Sequence, residues 1–227
     1  PSSALAPACR YTTPMPLVID GRVRVHKVAG MGSYDNNGYV IADSQTREAY
    51  LVDAPAQIKR LLDEASDYRV QGVLITHTHP DHVAGYAHLK RLSDLPVAVH
   101  EADASKLPGK PENLLAHGQE LRVGAIHIRV MHTPGHTPGG LCLVLDDAVI
   151  TGDTLFPGGP GRTTTPANFQ QVVASITAHL LPLDAHTSVL PGHGADTTIG
   201  DSRREYAEFA SRRHLDDLHD HVSWLTS

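Results

Sequence analysis

Residues 76 to 82 read "THTHPDH", placing His77, His79, Asp81 and His82 within six positions behind the apolar run Val73-Leu74-Ile75. Imidazole nitrogens and a carboxylate are the donor set that suits Zn²⁺, Fe²⁺ or Mn²⁺. Two histidines at i and i+2, on a loop leaving a strand, can aim their rings at one point. Asp81 and His82, opening a helix, would then project back toward the same mouth. A solvated polar turn with Asp81 as an ordinary helix cap is the lesser alternative for this stretch alone. Three later positions weigh against that blander account. His136 lies in the turn "TPGHTPGG", Asp153 ends the apolar strand "VITGD", and His193 follows another apolar strand in "VLPGHGAD". Each is delivered at a strand end or sharp turn, with glycine beside it where backbone must approach closely.

The elements that must position these groups can be read from periodicity. Segments 23–28, 38–43, 49–54, 70–76 and 96–100 read as strands, as do "AIHIRVMHT", "GLCLVLDD" and "AVITGD". Helices are predicted over 55–65, about 82–92, 166–181 and 200–223, with a final strand at "TSVLPGH". Residues 1–16 read as an extended tail, and 17–227 as one domain ending in a helix. The order is strand-rich, βα, strand-rich, βα. It predicts an α+β fold of two mixed sheets packed face to face with helices outside.

Composition narrows the function classes. Of 227 residues, 41% are hydrophobic and 19% charged, with a net charge of −6. That balance argues against nucleic acid as a partner, since phosphate-backbone binding needs a basic face. No apolar run is long enough to span a bilayer, and "PSSALAPACR" has neither a basic nor an apolar leader region, so a cytoplasmic protein is expected. Sixteen histidines against 19 Lys and Arg is the unusual feature. Cys9 and Cys142 sit in unrelated contexts and read as a free thiol and a small buried hydrophobe.

The ordered set His77-x-His79-x-Asp81-His82, His136, Asp153, His193 resembles the ligand signature of the metallo-β-lactamase superfamily over roughly residues 23 to 200. The resemblance implies a four-layer αββα sandwich and a site for two divalent metal ions, zinc first, with iron or manganese as alternatives. His77, His79 and His136 would bind one ion, Asp81, His82 and His193 the other, and Asp153 would bridge them. With a bridging hydroxide, the two cations and two carboxylates leave a net charge of about +1, which stabilises an oxyanion and brings the water pKa toward ~7. Asp81 would also act catalytically by holding that hydroxide for attack. Asp53, at the end of "YLV", matches an early aspartate that braces the metal loop.

β-Lactamases of the superfamily tend to carry Cys or Ser where this chain has Asp153. A bridging carboxylate is the pattern of its thioester, lactone and phosphoester hydrolases. Residues 151–163, "TGDTLFPGGPGRT", look most like the glyoxalase II branch, the hydroxyacylglutathione hydrolases. There Arg162 would hold a substrate carboxylate, making the partner a small, anionic molecule or a glutathione thioester. The branch's aromatic residue after that position is replaced by Thr163 and Thr164. The 34 residues after His193 are too few for the C-terminal helical domain of the longer enzymes. The rival is a persulfide dioxygenase, which resembles the chain in "GRT" and uses one iron on counterparts of His77, His136 and Asp153. A lactonase or β-lactamase is expected less, a nuclease less still, and a non-catalytic module would tend to have lost a ligand. Nothing in the sequence speaks to oligomeric state.

Overall fold

Alternation of apolar side chains along the strands builds three stacked cores, and these dictate the layers. In β3 (Asn36–Asp43), Val40 and Ala42 face one way, while Tyr39 and Ile41 face the other, and all four are buried. A strand buried on both faces belongs to a sheet covered on both sides. The computed structural model describes residues 17–227; the extended tail read over 1–16 lies outside them.

The first sheet runs in chain order from β1 (Leu17–Asp20) and β2 (Val23–Met31) through β3 to β4 (Glu48–Val52), β5 (Arg69–Leu74), β6 (Val97–His100) and β7 (Asn113–Leu115). Its first four strands pair antiparallel and its last four parallel. The second contains β8 (Glu120–Val123), β9 (Ile126–His132), β10 (Leu141–Val144) and β11 (Ala148–Gly152) as an antiparallel run. A two-stranded hairpin, β12 (Leu155–Phe156) and β13 (Gly159–Pro160), projects beyond it. The sheet is completed by β14 (Ser188–Pro191), parallel to β11, and β15 (Thr197–Thr198).

Between the sheets lies a core that includes Val25, Tyr39, Ile41, Leu74, Ile128, Leu141 and Ile150. Outside the first sheet, Ile58 and Leu61 of α1 (Ile58–Glu64) and Tyr86 and Leu89 of α2 (Tyr86–Leu92) pack on Val40, Leu51 and Val73. Helix α3 (Glu101–Ala104) is a single turn after β6. Outside the second sheet, α4 (Pro166–Ser175) and α5 (Ile199–Ala210) cover Cys142, Val149 and Val189. Burial pushes the Cys142 thiol up to about 11, so it behaves as the small hydrophobe expected. The result is the αββα sandwich.

Four helices differ from the sequence reading. The helix predicted from Pro55 begins at Ile58, because Gln57 before it stands in left-handed backbone, φ +61°. The helix predicted from residue 82 begins at Tyr86. Residues 82–85 instead bond to other backbone: His82 N–H to His79 O, and Gly85 N–H and His82 O to the carbonyl and amide of Ala54. The helix from 166 narrows its regularity at Ser175 and continues as one π turn, Ile176–Leu180. Thr177 Oγ1 donates there to Val173 O at 2.9 Å and Ala174 O at 3.1 Å, competing with the backbone ladder. The closing helix stops at Ala210 rather than 223. Beyond it the chain turns back, because Trp224 is buried against Tyr206 and Phe209; a continuous helix would carry it away from them.

Candidate metal centre

Four strands end at one edge of the sandwich. In each sheet a parallel pair, β4 with β5 and β11 with β14, points its carboxyl ends there, the place where parallel α/β architectures collect ligands. Asp53 follows β4, His77 follows β5, Asp153 follows β11, and His193 follows β14. The sheets are joined at this edge by Leu141 N–H to Thr76 O at 2.9 Å and Asn37 N–H to Gly192 O at 2.7 Å. Tyr39 Oη donates to Pro191 O at 2.6 Å, and the buried Lys27 Nζ reaches Gly194 O at 2.8 Å and Asp196 at 2.5 Å. The His193 loop is therefore held by the opposite sheet.

Two glycines are required for the approach. Gly152 adopts φ +48°, and a Cβ there would meet Thr76 Oγ1 at 2.7 Å. A Cβ on Gly192 would lie 2.4 Å from Asp153 Oδ1 and 2.6 Å from His82 Cε1. Only a residue without a side chain lets β14 pass beside the Asp153 carboxylate.

All seven expected ligands converge. The His77 ring lies 4.9 Å from His79, 4.1 Å from His82 and 4.9 Å from His136, centroid to centroid. His82 Nε2 is 3.2 Å from His193 Nε2, 3.5 Å from Asp81 Oδ2 and 3.3 Å from Asp153 Oδ1. His136 and His193 each bring Nε2 to 3.5 Å from Asp153 Oδ2. Three groups have donor atoms mutually close enough to share an ion: His77, His79, His136; His77, His82, Asp153; and Asp81, His82, His193.

Hydrogen bonds assign the tautomers. His136 Nδ1 faces Arg162 O at 2.7 Å, and His193 Nδ1 faces Tyr34 O at 2.7 Å. A carbonyl only accepts, so both Nδ1 atoms carry hydrogen. His82 Nδ1 donates to Asp53 Oδ2 at 2.8 Å. Thr76 Oγ1 donates to the same oxygen at 2.8 Å, leaving the hydroxyl to accept from His77 Nδ1 at 3.1 Å. Four rings thus turn Nε2 inward. Among the described residues, His77 Nε2, His136 Nε2 and Asp153 Oδ1 are buried without a hydrogen-bond partner. Buried polar atoms need partners, and divalent cations are partners of the right chemistry for this donor set.

The electrostatics point the same way. Burial lowers the affinity of His77, His79 and His136 for protons, reinforced by neighbouring histidines; His79 falls to about 4. Burial works against charge on His82 and His193 too, but carboxylates outweigh it: Asp53 and Asp153 raise His82, and Asp153 and Asp81 raise His193 to about 10. Burial would raise the Asp81 and Asp153 carboxyls. Hydrogen bonding from His193, with the charge of His82, holds both well below the usual carboxylate range. The pocket therefore combines ionised carboxylates, the lone pairs of His77, His79 and His136, and two imidazoles, His82 and His193, on which the carboxylates retain protons; it favours positive charge at its centre.

Asp53 stands in left-handed backbone, φ +62°, and its carboxylate serves His82, the Thr76 hydroxyl and the Thr76 amide at 2.7 Å. The Arg162 side chain is 58% exposed and bonds Asp220 through Nε at 2.5 Å; only its carbonyl touches a site histidine. His100 and His132 stack on each other at 3.9 Å, with His132 Nε2 donating to Pro138 O, and do not join the site. Sequence reasoning missed Asn36, whose Nδ2 donates to Asp81 Oδ2 at 2.7 Å. It also missed the buried Asp103, whose carboxylate accepts from Thr78 N–H at 3.1 Å and Gly139 N–H at 2.9 Å, tying the His77–His82 loop to the His136 turn. The only signal for Asn36 was its place in the polar loop "MGSYDNNG"; for Asp103 there was none.

A cleft of about 480 Å³ opens beside His136, Asp153 and His193, with Phe156 and Arg162 on its walls. Comparison with known proteins places these features in context. The profile described as the metallo-beta-lactamase superfamily matches residues 34–213. Hydroxyacylglutathione hydrolase GloC of Haemophilus influenzae is 30% identical over 195 residues, covering 76% of this chain and 92% of its own. The crystal structure of ETHE1 from Myxococcus xanthus is 30% identical with a TM-score of 0.70, covering 83% and 85%. TTHA1623, solved in a di-iron-bound form, is 30% identical with a TM-score of 0.67, covering 78% and 96%.

Proposed function

The chain belongs to the metallo-beta-lactamase superfamily, and from that premise we propose that it is a dinuclear metal-dependent hydrolase of a thioester or similarly activated acyl compound. His77, His79 and His136 hold one divalent ion, Asp81, His82 and His193 the other, and Asp153 lies between the two groups. The observation that carries the reading is the bracing of the second group. His82 is fixed by Asp53, His193 by Tyr34 O, and Asp81 by Asn36. Bracing of this kind keeps Asp81, His82 and His193 aimed at a common point where a second ion would bind. The similarity to a di-iron protein and to a hydroxyacylglutathione hydrolase supports the same reading.

Two bound divalent ions would supply a water of pKa near ~7 and a Lewis acid for the acyl oxygen. The remaining work falls to the chain. Asp81, steadied by Asn36, accepts a hydrogen bond from the attacking water and aims it. The substrate lies in the cleft beside His136 and His193, with Phe156, 6.3 Å from His193 between ring centroids, as its apolar side. Asp153, the carboxyl of the cleft lining, is held ionised, and no lysine lines the cleft, so neither type of group is placed there to protonate a leaving group. A thiolate, whose conjugate acid has a pKa of about 8.5, leaves without that help; an amide nitrogen does not.

The test is metal content of protein purified without added metal, followed by a thioester panel. About two ions per chain with thioester turnover is the expected result. One observation favours a second reading: "GRT", the stretch in which the chain resembles the persulfide dioxygenases, is tied to the site through the Arg162 carbonyl. About one iron per chain, with oxygen uptake on a persulfide and no thioester turnover, would establish that instead.

A further inference from the structure

Of the histidines in the metal centre, His79 is held differently from the rest. Nδ1 of His77, His82, His136 and His193 has a hydrogen-bond partner in the Thr76 hydroxyl, Asp53, the Arg162 carbonyl and the Tyr34 carbonyl respectively. Among the described residues no hydrogen bond reaches the His79 ring, which stands edge-to-face with His77 at 84° and with His136 at 89°. Its direction is therefore set by its backbone. His79 lies outside any helix or strand, so that backbone needs anchors of its own. On one side His82 N–H donates to His79 O at 3.0 Å. On the other, the anchor is Asp103, which takes the Thr78 amide.

Asp103 is 0% exposed and sits on α3, the single turn that follows β6. It divides its carboxylate between two segments of the chain. Oδ2 accepts from Thr78 N–H at 3.1 Å and Oδ1 from Gly139 N–H at 2.9 Å, while the Asp103 carbonyl takes the Thr78 hydroxyl at 3.4 Å. The approach is close enough that a Cβ on Gly139 would lie 2.7 Å from Asp103 Cβ and Cγ. The His136 turn has further ties: His132 Nε2 donates to Pro138 O and Ser175 Oγ to Pro134 O, both at 2.8 Å. Loss of the Asp103 carboxylate would leave His136 braced and His79 without the anchor before it.

We propose that Asp103 is the positioning residue of the His77, His79 and His136 group. Through the Thr78 amide it fixes His79, 4.4 Å from His136 between ring centroids, at the spacing a shared ion needs. Asp103 complements Asp53, which braces His82 directly and His77 through Thr76. The division of the centre into two groups rests on the functional reading above.

The test is Zn²⁺ affinity of the full chain, read by competition with a chromophoric chelator and needing no turnover. In a His193→Ala background, which weakens the other group, Asp103→Asn is expected to lower Zn²⁺ affinity about tenfold or more, the range for lost partners of metal ligands. The amide keeps one acceptor but turns a donor toward the second N–H. In a His79→Ala background the same change should move affinity less than about twofold, since the ring it aims is gone. Gly139→Ala leaves the carboxylate in place and pushes on it from the turn; it should repeat the pattern, and it carries the test alone if Asp103→Asn fails to fold. Melting of each metal-free variant checks folding. Equal losses in both backgrounds, the mark of general destabilisation, or no loss in either, would overturn the proposal. One ion per wild-type chain, weakened by Asp103→Asn only while His79 is present, would remove the two-ion reading and leave Asp103 its role. Two ions with no selective loss would do the reverse.

Discussion

Asp53 shows how much of this site rests on a residue that touches no expected ion. One carboxylate fixes the His82 tautomer, holds the Thr76 hydroxyl that in turn orients His77, and caps the Thr76 amide. Removing a partner of this kind typically costs 10- to 100-fold in metal affinity or activity. Asp53→Ala should therefore lower kcat/KM by about that factor and release the ion at Asp81, His82 and His193 first. Metal analysis reads the loss directly, and full stoichiometry in the variant would refute it. The seven expected ligands were legible because histidine and aspartate at glycine-flanked strand ends are conspicuous in one dimension. Asn36 was not, since nothing about an amide in a polar loop says that it meets Asp81 across 45 residues.

Strands are the precise elements here, and their ends carry the chemistry. Gly192→Ala puts a methyl group 2.4 Å from Asp153 Oδ1, so either β14 or the carboxylate must move. A displacement approaching 1 Å costs on the order of 10²-fold in rate; the expected variant folds, binds less metal and loses about that much kcat. Wild-type metal content and rate would mean the edge is softer than the packing implies. At the opposite end of β3, Asp43 accepts from Gln45 N–H at 2.8 Å and Ala125 N–H at 2.9 Å, linking the two sheets. The Ala125 amide, then burial acting the other way and the Gln45 amide, leave its carboxyl below the ordinary value. A depressed folded value contributes stability above the unfolded pKa of about 3.9, lost as pH falls through the folded one. Asp43→Asn should therefore lower the thermal midpoint at pH 7 by an amount corresponding to about 1–3 kcal/mol, and the gap should narrow as pH falls through the depressed folded value. A gap independent of pH would place the effect elsewhere.

At the scale of the whole molecule, the metal centre sits where the two sheets meet, so ion binding is expected to support the fold as well as the reaction. An ion that binds only the folded chain stabilises it in proportion to RT ln(1 + [L]/Kd). Complete chelation should abolish activity and lower the thermal midpoint by roughly 5–15 °C; a melt unchanged by metal removal would show that carboxylate repulsion is relieved some other way. No helix among the described residues is long and apolar enough to cross a membrane. The sequence by itself determined the layer order and brought out the His and Asp residues that converge at one edge, because apolar alternation encodes which strand faces are buried and because groups of metal-binding type come from few residue types. It overextended the helices at 82 and 200, since the backbone partners that end them, Ala54 and the Trp224 pocket, are distant in the chain. Only the tertiary structure decided which nitrogen of each histidine faces inward, that Arg162 is held by Asp220, and that the closing segment walls the cleft. Each depends on a partner brought close by packing, and local pattern carries no record of such a partner.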